Sequence, residues 1–175
     1  MQAMLFPFLA ITTSFVITSS TYAEQAALFA IKSASFVDRK NIPALYTCDG
    51  QDLSPQLAWS GAPARTESYV LICDDPDAPV GIWYHWVLYN IPSAVTELPE
   101  GVAAPSGAVL GKNSWGRTQY NGPCPPASSI HRYNFTLYAL DMRLTLPGGA
   151  DAQTVLKAIQ GHVLNKTTIM GVFGH

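Results

Sequence analysis

The chain has 175 residues, 48% of them hydrophobic and 13% charged, with 10 Lys+Arg against 12 Asp+Glu for a formal net charge of -2. That length fits one domain and excludes a multidomain machine. The balance also excludes intrinsic disorder and leaves no general basic footprint for duplex nucleic acid.

The charges are unevenly placed, because Met1 to Ala23 contains no Asp, Glu, Lys or Arg. Residues 3–17 are largely apolar but broken by Pro7 and by Thr12-Thr13-Ser14, so the run falls short of the roughly 20 apolar residues of a membrane span. Thr21-Tyr22-Ala23 before Glu24 has the small-residue form of a signal-peptidase site. The reading is a secretory signal over residues 1–23, a folded domain over 24–175, and a periplasmic or secreted location.

Thirteen Pro and 13 Gly punctuate short runs rich in Val, Ile, Tyr, Phe and Trp, the pattern of an all-β sandwich or barrel. In chain order the expected strands are 27–31, 57–59, 68–74, 82–91, 107–110, 131–140 and 168–173. The sixth alternates clearly: Tyr133, Phe135, Leu137 and Ala139 share one face, while Arg132, Asn134 and Thr136 start the other. One helix is expected over 151–160, with Asp151 as its cap, Ala152, Val155, Leu156 and Ile159 at helical spacing, and Gly161 as its stop.

Three cysteines allow at most one internal disulfide. Cys73 lies in the apolar run Tyr69-Val70-Leu71-Ile72-Cys73 and reads as a small buried hydrophobe. Cys48 and Cys124 sit in loop-like contexts and are the expected pair if one forms. No CxxC or Cys/His spacing suggests a metal site.

Residues suited to chemistry cluster in three stretches. Asp74-Asp75-Pro76-Asp77-Ala78-Pro79 places three carboxylates within four residues. It reads either as a solvated turn or as a cluster held by a nearby cation, metal or histidine. His85 lies in the strand Trp83-Tyr84-His85-Trp86. It is either a satisfied core histidine or, if an Asp from the preceding loop accepts from one ring nitrogen, a ligand-facing imidazole. The third stretch runs from Gly111 through Gly122-Pro123-Cys124-Pro125-Pro126 to His131-Arg132-Tyr133. Its loop has the ingredients of an anion-binding nest of backbone N–H groups, with His131 and Tyr133 on one face of the strand beside it.

Together, Asp75-Pro76-Asp77-Ala78-Pro79, Trp83-Tyr84-His85-Trp86 and Gly122-Pro123-Cys124-Pro125-Pro126 followed by His131-Arg132-Tyr133 resemble the phosphatidylethanolamine-binding protein family. Within it the chain is similar to the bacterial Raf-kinase-inhibitor-like branch of YbhB/YbcL type. The resemblance implies a two-sheet antiparallel β-sandwich with a small pocket for phosphate-like anions or phospholipid head groups. By position it assigns Asp75, His85, His131 and Tyr133 to that pocket, Gly122 and Pro126 to its loop wall, and Asp77 and Trp83 close by.

In physical terms, partly protonated His85 and His131 would attract the anion, Tyr133 would donate a hydrogen bond, and Asp75 would orient an imidazole. Affinity would then rise as pH falls through the histidine range. The leading reading is a non-enzymatic binding protein without a cofactor, a possible regulator or inhibitor of a partner protein. The alternative is a phosphoesterase built from Asp75, Asp77, His85 and His131, against which stands the lack of a GxSxG or HExxH signature.

Overall fold

The computed structural model describes residues 28–175; the leader read over residues 1–23 lies outside them. Eight strands form two antiparallel sheets. The strands are β1 (Ala30–Lys32), β2 (Leu57–Ser60), β3 (Ser68–Asp75), β4 (Trp83–Pro92), β5 (Glu97–Leu98), β6 (Val109–Leu110), β7 (Ile130–Leu140) and β8 (Val163–Gly174), with one helix α1 (Ala152–Ala158) before β8. The small sheet has the order β1-β2-β5 and the large one β6-β4-β3-β7-β8. This is the all-β sandwich with one short helix that the sequence pattern implies.

The large sheet is covered on both faces. One face packs Leu71, Cys73, Trp86, Leu88, Tyr133, Phe135 and Leu137 against Ile31, Leu57, Trp59 and Leu98 of the small sheet. The other packs Val70, Ile72, Val87 and Tyr89 against Val155 and Ile159 of the helix segment. A strand buried on both sides needs apolar residues at successive positions, which is why β3 reads as an unbroken hydrophobic run. The helix is short because its start and end are both signalled: Asp151 accepts from the Thr154 backbone N–H at 2.7 Å, and Gly161 has φ +82° just beyond.

Two β-bulges in β4 re-aim its side chains. In the first, Cys73 pairs with Trp86 but Asp74 with Tyr84, so His85 is the extra residue. Both His85 and Trp86 are thereby turned to the inter-sheet side while Tyr84 and Val87 pack on the helix side. The second bulge centres on Asn90, which adopts φ +56°; its amide side chain exchanges hydrogen bonds with the Leu144 backbone at 2.9 and 2.7 Å. Period-2 alternation, the basis of the strand reading, breaks at both places.

The two-residue strand β5 was not expected, and β8 begins at Val163, well before the expected start at 168. Asn165, Lys166, Thr167 and Thr168 there are polar and lie on a strand at the edge of the large sheet, where alternation carries little signal.

Candidate functional site

The first carboxylate stretch leaves the end of β3, and each of its carboxylates finds a different partner on β7. Asp74 accepts from the Asn134 side-chain amide at 3.1 Å. Asp75 Oδ2 accepts from His131 Nδ1 at 2.7 Å, while Oδ1 accepts the Asp77 backbone N–H at 2.8 Å. Asp77 receives the backbone N–H, Nε and a terminal guanidinium nitrogen of Arg132 at 2.9, 2.9 and 2.6 Å. These bonds hold the Asp77 carboxyl down at about 2, the Arg132 side chain being the main cause. The repulsion expected among three crowded carboxylates is therefore relieved by one imidazole, one guanidinium and one amide.

Asp75, His85 and His131 meet at the mouth of the sandwich in a pocket of ≈ 300 Å³. Its walls are apolar: Pro79, Val80, Trp83, Trp115, Pro125 and Pro126. Tyr133 stands edge-on to the His85 ring at a centroid distance of 5.2 Å, and Trp115 meets the same ring edge-on at 5.1 Å. The relative exposures are 4% for Asp75, 2% for His85, 6% for His131 and 0% for Tyr133, so the four groups are held by surrounding atoms rather than by water.

The two histidines are arranged differently. His85 Nδ1 donates to the backbone carbonyls of Asn121 and Gly122, at 2.7 and 3.1 Å. A carbonyl can only accept, so the proton of a neutral ring sits on Nδ1 and Nε2 is a bare acceptor. That Nε2 is buried and has no hydrogen-bond partner among the described residues. Burial lowers the His85 pKa from its ordinary value, against the opposing pull of the Asn121 carbonyl and of Asp75, and the ring stays neutral near pH 7.

His131, in contrast, gives its Nδ1 to Asp75. The sequence reading of His85 as a charged anion contact, with an Asp from the loop on its ring, is thus corrected: the Asp serves His131, and His85 is anchored by backbone. The Tyr133 hydroxyl is also buried without a partner, and burial, with Asp75 adding to it, pushes its pKa up. The Cys124 backbone amide is turned toward this hydroxyl and opposes the rise without closing a hydrogen bond.

Two residues expected on the pocket lie behind it. Asp77 is spent on Arg132, and Gly122 gives its N–H to Asp52 and its carbonyl to His85. A nest of several amides is not formed either. Over residues 121–126 the Asn121 N–H goes to the His85 carbonyl, Gly122 to Asp52, and three positions are proline, leaving Cys124 as the remaining amide. Gly122 is required for closeness: a Cβ there would stand 2.2 Å from the Tyr46 carbonyl oxygen and 2.9 Å from Thr47 Cα. The loop is tied to the same neighbour covalently, since Cys48 and Cys124 are disulfide-bonded with Cα atoms 5.4 Å apart. Cys73 is free and buried.

Sequence reasoning passed over Trp115 and the residue that positions it. Asn113 Oδ1 accepts the backbone N–H groups of Trp115 and Arg117, both at 3.0 Å, folding the turn that lays Trp115 on His85. The signal available was Asn113-Ser114-Trp115-Gly116, an Asx-type turn closed by a glycine at φ +74°. His175 clasps the pocket loop through Asp49 at 3.1 Å and the Pro125 carbonyl at 3.0 Å.

The family described as phosphatidylethanolamine-binding protein matches residues 32–174. The chain belongs to this family. It is 49% identical over 147 residues to a UPF0098 protein of Methanothermobacter thermautotrophicus, covering 82% of this chain and 97% of that one. To the UPF0098 protein YbhB of Escherichia coli K12 it is 41% identical over 132 residues, covering 71% and 84%. Among solved structures, Escherichia coli YbcL superposes with a TM-score of 0.80 at 30% identity, covering 85% of this chain and 99% of that one. A phosphatidylethanolamine-binding protein homologue of Chlamydia trachomatis, CT736, gives 0.79 at 38% identity, covering 84% and 97%. These relatives place the chain in the YbhB-type branch of the family.

Proposed function

We propose that the protein is a non-enzymatic binding protein whose pocket holds the phosphate group of a small molecule or lipid head group. The observation that carries this reading is a cavity lined by the Asp75-oriented His131 and by His85, whose Nε2 is buried without a partner, with the equally unpartnered Tyr133 hydroxyl on the ring that packs against His85. A buried polar group left unpaired costs stability, about 1–3 kcal/mol, unless something completes it. A phosphate oxygen can accept from Tyr133 and from a protonated His131, while Trp83, Trp115 and Pro126 bury the organic part.

Binding rather than hydrolysis is favoured by how the acid–base candidates are spent. Asp77 is bound to Arg132, and Asp75 is held by His131 and by the Asp77 backbone N–H, so neither carboxylate is left over as a nucleophile or base at the pocket. An exported, oxidising compartment goes with this reading, because the Cys48–Cys124 bond that ties down the pocket wall persists there.

Titration calorimetry with phosphorylethanolamine, on the wild-type chain and on His131→Ala and Tyr133→Phe, tests the proposal. Saturable binding weakened about tenfold or more in both variants is expected. Steady turnover of p-nitrophenyl phosphate, lost in His131→Ala, would replace binding by catalysis, and capture of a protein partner that survives both variants would assign the function to the surface instead.

A further inference from the structure

The polar groups at the pocket are not all donors. His85 cannot rotate its donor side inward, since Nδ1 is held by two backbone carbonyls and the ring is wedged between Trp115 and Tyr133. Its inward atom, Nε2, is a lone pair that no protein group satisfies. An oxyanion that is fully ionised or fully esterified offers oxygens that only accept, so it would set lone pairs against this buried lone pair. An oxyanion carrying its own hydroxyl satisfies it.

We infer that the pocket selects oxyanions that bring a proton of their own, the hydrogenphosphate form of a phosphomonoester, with His85 as the specificity-determining acceptor for the P–OH group. This rests on the anion-pocket reading above and sharpens it: the bound phosphate donates to His85 and accepts from Tyr133 and His131. A phosphodiester, that of a phospholipid head group included, has no such proton to give, so the inference narrows the anion-pocket reading to phosphomonoesters.

The groups around His85 are consistent with an acceptor rather than a cation. Tyr133 and His131 approach from β7, Trp115 from the turn at Asn113, Asp75 from the end of β3, and Asp52 from the loop after Tyr46. The two carboxylates favour a charged ring, but burial outweighs them and the pKa is lowered overall.

The test compares methyl phosphate with methyl sulfate by titration calorimetry at pH 5.5. Below the second phosphate ionisation at about 6 both are monoanions of the same shape, and they differ by one hydroxyl proton. Methyl phosphate is expected to bind about tenfold more tightly or better, as for one hydrogen bond to a buried acceptor. In His85→Asn, whose shorter side chain can still donate toward the Asn121 and Gly122 carbonyls but lacks an atom at Nε2, the ratio is expected to fall to about twofold or less.

Equal affinities in the wild-type protein would overturn the inference, as would a preference that persists in His85→Asn. If neither ester binds at millimolar concentration, the anion-pocket reading itself fails and the inference with it. The wild-type comparison needs no variant to fold.

Discussion

Asp75→Asn tests how the pocket assigns its protons. Asp75 Oδ1 accepts the Asp77 backbone N–H at 2.8 Å and Oδ2 accepts from His131 Nδ1 at 2.7 Å. An asparagine must keep its carbonyl toward the Asp77 N–H, which turns its NH2 toward Nδ1. An amide NH2 can only donate, so the proton of the neutral His131 ring moves to Nε2, where it faces the pocket.

In the wild-type chain the neutral ring faces the pocket with a bare Nε2, and an anion can be held only if the ring takes up a second proton. Wild-type affinity therefore carries a proton that the variant does not need. A binding step that takes up one proton changes affinity by as much as tenfold per pH unit, about 1.4 kcal/mol. At pH 8 methyl phosphate is a dianion, and binding as hydrogenphosphate adds a proton of its own.

Calorimetry at pH 8 in two buffers of different ionisation enthalpy counts the uptake: two protons per site for the wild type and one for Asp75→Asn. At the acid end the wild type should bind more tightly, because a charge-assisted bond is about twice as strong as a neutral one. The advantage should shrink as pH rises. Both hydrogen bonds of residue 75 are kept, so folding should lose only about 1–2 kcal/mol. An uptake of two protons retained in Asp75→Asn would refute this assignment of His131.

Gly122→Ala should destabilise the fold by about 1–3 kcal/mol or more, because its Cβ meets backbone at 2.2 and 2.9 Å rather than a yielding side chain, and a thermal melt should drop by several degrees. Reduction of Cys48–Cys124 opens a 76-residue separation and should cost about 4 kcal/mol in the chain-entropy account, read as a lower urea midpoint. Asp77, held at about 2 in the fold against 3.8 ordinarily, stabilises above pH 4 and loses that contribution as pH falls from about 4 through 2. Since Arg132 is largely exposed, the contribution is discounted to about 1 kcal/mol, and Asp77→Asn should remove this part of the acid limb of the stability–pH curve.

Much of the fold was readable because its cues are local. β7 alternates, β3 is apolar from Tyr69 to Cys73, and Asp151 and Gly161 bracket the helix, so each element could be read from its own residues. The two-residue β5 and the early part of β8 owe their state to a neighbouring strand, which no local pattern reports.

The site divides in the same way. His131 and Tyr133, two apart on one strand, were placed together by periodicity, whereas the Asp cluster read equally as a solvated turn or as a group held by a cation, metal or histidine. Which imidazole Asp75 would reach depended on the bulge at His85 and on the β3–β7 register, both tertiary facts. Asp77 and Gly122 match a sequence pattern, yet their hydrogen bonds turn them away from the pocket toward Arg132 and Asp52.

The central claim is that His131 and His85 meet a phosphate group in opposite roles, one as donor and one as acceptor. Long-range proton–nitrogen NMR of the protein labelled with 15N-histidine, recorded at pH 7 with and without methyl phosphate, reads both rings at once. The account predicts that His85 stays in its Nδ1–H form while its Nε2 signal shifts as it accepts a hydrogen bond, and that His131 becomes doubly protonated on binding. Histidine signals unchanged at saturating methyl phosphate, or a His85 ring that becomes the charged one, would contradict it.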